Sequence, residues 1–250
     1  MMAQKIVTLI TGAEKGLGLL TAKALSKKGQ AIVIGALDED AAKQAVAEIT
    51  ADGGEASYVK LDVTNHDQVT AAGKYVADKY GYLTTLINNA GIVTDGRHTP
   101  VDVPMADLRK EFDVNFFGSM DVSQTMVPLL KQAENAQIIN LSSNMGSLGL
   151  ATDPSFPFYN FYSVGYGASK AAVNFETVCF SKALKDDGIA VNSVNPGFSD
   201  TAFGGRNTND PKPAGMQTAD EGAAQIIKMA SRSPQTDTAT FTENAGMLPW

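Results

Sequence analysis

The stretch "KIVTLITGAEKGLGLLTAKALSKKG" (residues 5–29) decides the fold. Residues 5–10 form a short apolar, β-rich run that reads as a buried strand. Residues 18–29 place Leu19, Leu20, Ala22, Ala24 and Leu25 in a helical pattern and close on Gly29, a helix stop signal. Between the two stand Thr11, Gly12, Gly16 and Gly18. Glycines here let a backbone approach a diphosphate closely, and the N-terminus of the helix that follows favours an anion. The spacing is G-x-x-x-G-x-G, not G-x-G-x-x-G, and a glycine triplet alone also marks a plain tight turn. Its place between a first strand and a first helix is what argues for phosphate binding.

The alternation continues along the chain. Residues 31–36, 56–63, 83–91, 136–143, 189–197 and 238–242 read as strands. Residues 39–53, 65–80, 104–131, 163–186 and 219–231 read as helices, with Pro128 tolerated near the end of the fourth. Strands alternating with helices imply a mostly parallel sheet covered on both faces. Right-handed crossovers then give a doubly wound (Rossmann) α/β fold of about seven strands. No linker or internal repeat interrupts residues 1–250, so one domain is expected. Residues 144–162 and 198–218 lack a regular period, and both follow strand carboxyl ends, where open α/β sheets bind ligands.

Composition narrows the function class. The formal charge is -7 and no long basic run occurs, which argues against nucleic acid and anionic membranes as partners. No apolar stretch approaches the roughly 20 residues of a membrane span, and the N-terminal run is too short for a signal-peptide core. A cytoplasmic protein is expected. The single cysteine, Cys179, cannot form an internal disulfide, and its run "NFETVCFSKAL" (174–184) suggests a core position. His66 and His98 have no partner at a ligand spacing, so no metal site is expected and a solvated role is the better reading.

"YNFYSVGYGASK" (159–170) holds Tyr159, Tyr162 and Tyr166. An unperturbed phenol has a pKa of about 10. Tyr166 and Lys170 are four apart, which on a helix places them on one face. An ammonium beside a phenol favours phenolate. Tyr159 has Ser163 at that offset and Tyr162 has Tyr166, so neither gains a cation. Tyr-to-Lys at this spacing is also a common surface accident, so this pair needs its context.

Taken together, "TGAEKGLG" (11–18), "NNAG" (88–91) and "YGASK" (166–170) resemble the short-chain dehydrogenase/reductase family, from the first strand to the last. The ending "ATFTENAGMLPW" (239–250) is similar to its carbonyl-reductase branch. The resemblance implies that Asn115, Ser143, Tyr166 and Lys170 are the catalytic set, with Asn115 supporting a proton-relay water and Lys170 also holding the nicotinamide ribose. It implies cofactor contacts from Gly12, Lys15, Gly16, Leu17, Gly18, Leu37, Asp62, Val63, Asn89, Ala90, Gly91, Pro196, Gly197 and Thr201, with Asp62 on the adenine amino group. Ser142 competes with Ser143, but strand alternation sends the two to opposite faces, and the family register selects Ser143. Lys15 stands where relatives bind the 2′-phosphate, and Ala36 where NAD-preferring relatives carry an acid. Both favour NADP, with NAD still open because Leu37 replaces a frequent arginine and Asp38 is adjacent. The family also allows homo-oligomers.

Ser143 and Tyr166 are 23 residues apart, longer than the family's usual gap. The insertion contains "FPFYNFY" (156–162), five aromatics in seven positions, with Pro154 and Pro157 against a helix. Phe156 and Phe158 are expected to wall an apolar pocket around Ser143 and Tyr166, and the alternative is that the aromatics only pack. The expected activity is hydride transfer between NAD(P)H and a ketone or aldehyde, bulky or aromatic, with Tyr166 as general acid or base. Two other readings use the same fold: a non-catalytic NAD(P)-binding regulator, and an isomerase or dehydratase without net cofactor turnover.

Overall fold

The computed structural model of the chain describes residues 4–96, 98–232 and 236–250. Its centre is a run of strands with no solvent-exposed face. β1 (Val7–Thr11), β2 (Ala31–Ala36), β4 (Thr85–Asn88), β5 (Gln137–Leu141) and β6 (Ala190–Val194) are buried at every position. Such strands suit a parallel sheet covered on both faces. With β3 (Glu55–Lys60), β7 (Phe241–Glu243) and β8 (Gly246–Met247), the described residues form one sheet of eight strands in the order β3-β2-β1-β4-β5-β6-β7-β8. All pairings are parallel except β7 with β8. The eighth strand, two residues long, is one more than the sequence suggests. It follows the tight turn at residues 244–245 and leaves too little periodic signal to read.

α1 (Gly16–Ser26), α2 (Glu39–Ala51) and α8 (Ala219–Ala230) bury Ala22, Leu25, Ala45, Ile49 and Ile226 against Ile10, Ile34 and Ile139. α3 (His66–Tyr80) and α5 (Gly118–Leu130) bury Val69, Val76, Val122 and Met126 against Leu9, Val33, Leu86 and Ile138 on the other side. The chain leaves β1 toward β3, then returns to β4 on the far side of β1. That reversal opens a crevice at the carboxyl ends of β1 and β4, the usual ligand position in such sheets.

The long helix expected at 104–131 is divided. α4 (Met105–Phe112) runs into a π-helical turn at Asp113–Phe117 before α5 begins. Such turns insert one extra residue and commonly occur at functional sites. The aperiodic segment 144–162 contains a one-turn helix, α6 (Leu148–Ala151), and 198–218 contains a tight turn at Phe203–Gly205. Cys179 is exposed, which overturns the core expectation. It lies on α7 (Val164–Ala183) four residues after the exposed Phe175, whereas Val173, Glu176 and Thr177 face inward. The apolar run around it lacks the helical period that marks a buried face.

No described helix is long and apolar enough to cross a membrane. At one edge of the sheet, Glu55 and Lys60 of β3 pair with Lys5 and Glu39. At the other, β8 is exposed.

Candidate active site

The glycine turn is tied to the turn after β4. Thr11 Oγ1 accepts hydrogen bonds from the backbone N–H of Asn89 (3.0 Å) and Ala90 (2.9 Å). Asn89 Nδ2 donates to the carbonyls of Thr11 (2.7 Å) and Gly12 (2.9 Å). Gly12 has φ +63, and a Cβ there would sit 3.2 Å from Ala90 Cα. A Cβ on Gly18 would lie 2.7 Å from both Asn89 Nδ2 and Gly12 O. Gly16 differs: at φ +56 it has nothing within 4 Å of its Cβ position. It opens α1, which has neither a side-chain cap nor an acidic residue in its first turn. Asp38, Asn65 and Thr218 cap α2, α3 and α8. The first-turn N–H groups of α1 therefore remain for an outside acceptor. A bare helix start, an open glycine and the exposed Lys15 at its N-cap fit the diphosphate of a dinucleotide.

The other cofactor candidates lie along the same sheet edge. Leu17 is half-buried and packs against the α1–α2–α8 core. Leu37, after β2, is 63% exposed, and Asp38 is engaged at Oδ1 by the N–H groups of Asp40 and Ala41. Asp62, after β3, accepts from Thr64 N (2.9 Å) and Oγ1 (2.7 Å). Val63 is buried against Gly118 of α5, where a Cβ would come within 2.7 Å of it. The Cβ position of Gly91 is 3.3 Å from Asn115 Oδ1 and 3.5 Å from Lys170 Nζ. After β6, Gln217 Nε2 donates to Pro196 O and to Ser199 Oγ (3.1 Å), which fixes the turn at Gly197 (φ +73). Thr201 Oγ1 accepts from Phe203 N (3.3 Å).

Ser143, Tyr166 and Lys170 come together at the end of β5 and the start of α7. Ser142 turns away and donates to the carbonyl of Lys170 (3.2 Å), while Ser143 Oγ accepts from Met145 N (3.2 Å) and lies close enough to the Tyr166 phenol to favour its ionised form. Asn115, in the π turn, is spent on positioning. Its Nδ2 donates to Ile92 O (2.9 Å) and Ser169 Oγ (2.9 Å), and its Oδ1 accepts from Ile92 N (2.8 Å). Lys170 Nζ donates to Leu141 O (2.7 Å) and lies 5.7 Å from the Tyr166 ring centroid.

The electrostatics differ from the sequence expectation. Burial pushes the Tyr166 phenol up to about 12; the Ser143 hydrogen bond opposes this and the Glu111 charge adds to it. Burial lowers Lys170 to about 8, opposed by the Glu176 charge. Desolvation dominates at Tyr166 and holds the phenol in its protonated form. What the site offers at neutral pH is a protonated phenol with a serine hydroxyl beside it, two donors for one oxygen.

Several residues escaped sequence reasoning. Glu176, inside α7, accepts from Ser119 Oγ (3.0 Å) and Ser123 Oγ (3.4 Å) of α5, and burial raises it to about 8. Gly146 lets the loop after β5 lie directly on the α7 backbone. Phe203 lies 5.8 Å from Tyr166 between ring centroids, and Phe198 lies 5.9 Å from Phe158, which meets Phe156 at 5.6 Å. The insertion is thus only partly packed: Phe156 and Phe158 are half-buried, while Tyr159, Phe161 and Tyr162 are exposed. A cavity of about 460 Å³ lined by Val93, Thr94, Gly96, Phe161 and Gly204 opens between the loop after β4 and the segment after β6. His66 pairs with Asp121 at 2.9 Å on the surface, and the described residues hold no cluster of metal-ligating type.

The family model described as short chain dehydrogenase matches residues 6–212. A 3-oxoacyl-[acyl-carrier-protein] reductase of Synechocystis sp. is 32% identical, across 97% of this chain and 96% of that protein. A short-chain dehydrogenase of Penicillium roqueforti is 31% identical, across 91% of this chain and 89% of its own length. Among solved structures, an NADPH-bound carbonyl reductase from chicken fatty liver superposes with a TM-score of 0.84 at 24% identity, covering 100% of both chains.

Proposed function

This chain belongs to the short-chain dehydrogenase family, and we propose that within it the protein is a carbonyl reductase that uses NADPH in preference to NADH. The observation that carries the reading is the meeting of Ser143, Tyr166 and Lys170 on the sheet edge that also presents the uncapped start of α1. A bound nicotinamide supplies the hydride. Ser143 and Tyr166 both donate to the carbonyl oxygen, which orients the substrate, and Tyr166 then passes its proton to that oxygen as negative charge develops. The raised phenol keeps this proton available throughout the neutral range. Lys170, held by Leu141 O and near the Tyr166 ring, would support the phenol and hold the nicotinamide ribose. The names of the relatives, reductases of a 3-oxoacyl group and of carbonyls, agree with this direction.

The test is consumption of NADPH, followed by absorbance, across a panel of ketones and aldehydes. Cofactor binding without turnover would make the protein a dinucleotide-binding regulator. Product formation without net NADPH loss would make it an isomerase or dehydratase.

Lys15→Ala is expected to raise KM for NADPH more than KM for NADH, because the exposed ammonium beside the open glycine would meet the additional phosphate. Leu37 contributes no charge and Asp38 is capping α2, so the preference rests mainly on Lys15. Equal effects on the two cofactors would refute the NADPH preference.

Phe203, which lies against Tyr166, and Phe158, which meets Phe198 of the segment after β6, are expected to set the substrate class. Bulky or aromatic ketones should be preferred over small polar ones. Phe158→Ala and Phe203→Ala should reorder ketones by size while cofactor KM stays level. Lowered melting temperature with the original ranking would assign both rings to packing alone.

A further inference from the structure

Two buried carboxyl groups meet at the start of α7. Asp95, in the loop after β4, accepts from Ser163 Oγ at one oxygen and from Gly165 N (2.5 Å) at the other. It thereby satisfies the first turn of α7, which Ser163 does not cap with its own side chain. Glu111, at the end of α4, is fully buried. Its Oε1 receives Thr94 N (2.5 Å), Thr94 Oγ1 (3.2 Å) and Asp95 N (3.0 Å), while its Oε2 is buried with no partner. The two groups flank one point: a Cβ on Gly165 would collide with Glu111 Oε2 and come within 3.2 Å of Asp95 Oδ2. The next residue is Tyr166.

We propose that Glu111 is a positioning residue that holds a proton on Oε2, so that the neighbouring Asp95 carboxylate keeps its grip on the first turn of α7 and fixes Tyr166. This rests on the role given to Tyr166 above. A carboxyl with a bare, buried second oxygen beside another carboxylate takes up a proton on that oxygen more readily, because two like charges there repel. Burial raises Glu111 most, the hydrogen bonds from Thr94 and Asp95 oppose it, and the Asp95 charge adds to the rise. The titratable groups that face it are Asp95 from the loop and Tyr166 from α7, and no described cation lies within ion-pair distance of either carboxyl. Loss of the proton places a second negative charge against Asp95, loosens the turn, and strengthens the hold of Tyr166 on its own proton.

The experiment compares Glu111→Gln, Glu111→Ala and the wild type. Glutamine keeps the accepting oxygen and puts an N–H where the proton sits. Glu111→Gln should therefore retain kcat within about threefold, whereas Glu111→Ala should lose about tenfold or more in kcat with little change in cofactor KM. Equal impairment of both would overturn the proposal. Melting temperature against pH reads the same proton without any turnover. A carboxyl raised in the folded state is destabilising once pH exceeds its unfolded value, and the loss grows until the folded value is passed. The advantage of Glu111→Gln over wild type should accordingly widen as pH rises above the ordinary carboxylate range. A difference that stays constant with pH would overturn the proposal. Absence of turnover in the wild type would sink the carbonyl-reductase reading while leaving this melting test intact.

Discussion

Tyr166→Phe should reduce ketone turnover by about 10²–10⁴-fold while NADPH binds with nearly unchanged affinity. The substitution removes only the hydroxyl. The ring keeps its place against Phe203 and under Lys170, so the cleft retains its shape. What is lost is the proton donor beside Ser143. Tyr159→Phe and Tyr162→Phe provide the contrast, since both phenols lie in the exposed part of the insertion and should leave turnover close to wild type. Steady-state kinetics with a responsive ketone decide the matter, and a Tyr166→Phe enzyme with near-normal kcat would remove Tyr166 from the mechanism.

Gly146→Ala should damage both stability and activity, although alanine is usually the mildest replacement. An added Cβ would lie 2.6 Å from the carbonyl carbon of Lys170 and 2.7 Å from the nitrogen of Ala171. Both are helix backbone, which cannot turn aside as a side chain can. Either α7 or the loop after β5 must retreat, and these two carry Tyr166, Lys170 and Ser143. Overpacking of this kind costs about 1–3 kcal/mol. In a chain of this size each kcal/mol lowers Tm by about 2–4 °C. A displacement near 1 Å among reacting groups can cost about 10²-fold in rate. Differential scanning calorimetry and kcat together test this, and wild-type values in both would show that the contact relaxes freely.

The sheet and its ligand edge were readable because their signals are local. Short β-rich runs, glycine turns and helix stops such as Gly29 and Gly81 each report on a few neighbouring residues. Tyr166 and Lys170 were readable for the same reason, being one helical turn apart. The rest depends on what packs from a distance. Glu111 and Glu176 look like solvated helix positions in sequence, and only the approach of Asp95, Ser119 and Ser123 shows that they are buried. The π turn at Asp113–Phe117 inserts its residue without breaking the run of good helix formers around it. Phe198, Phe203 and Gln217 lie where no period exists to place them. The protonation of Tyr166 is not legible in the sequence, because helical spacing reveals proximity but not dehydration.

The two margins of the sheet bear on how the protein behaves when crowded. An unpaired strand invites another chain to extend it, and long apolar margins seed fibrils. Here β8 offers only two residues to such a template. β3 is longer, yet its ends carry Glu55 and Lys60, each occupied by an opposite charge from elsewhere in the chain. An incoming strand would have to break those pairs and bury their charges. The native fold therefore resists growth by strand addition at the same short, charged borders that end the sheet.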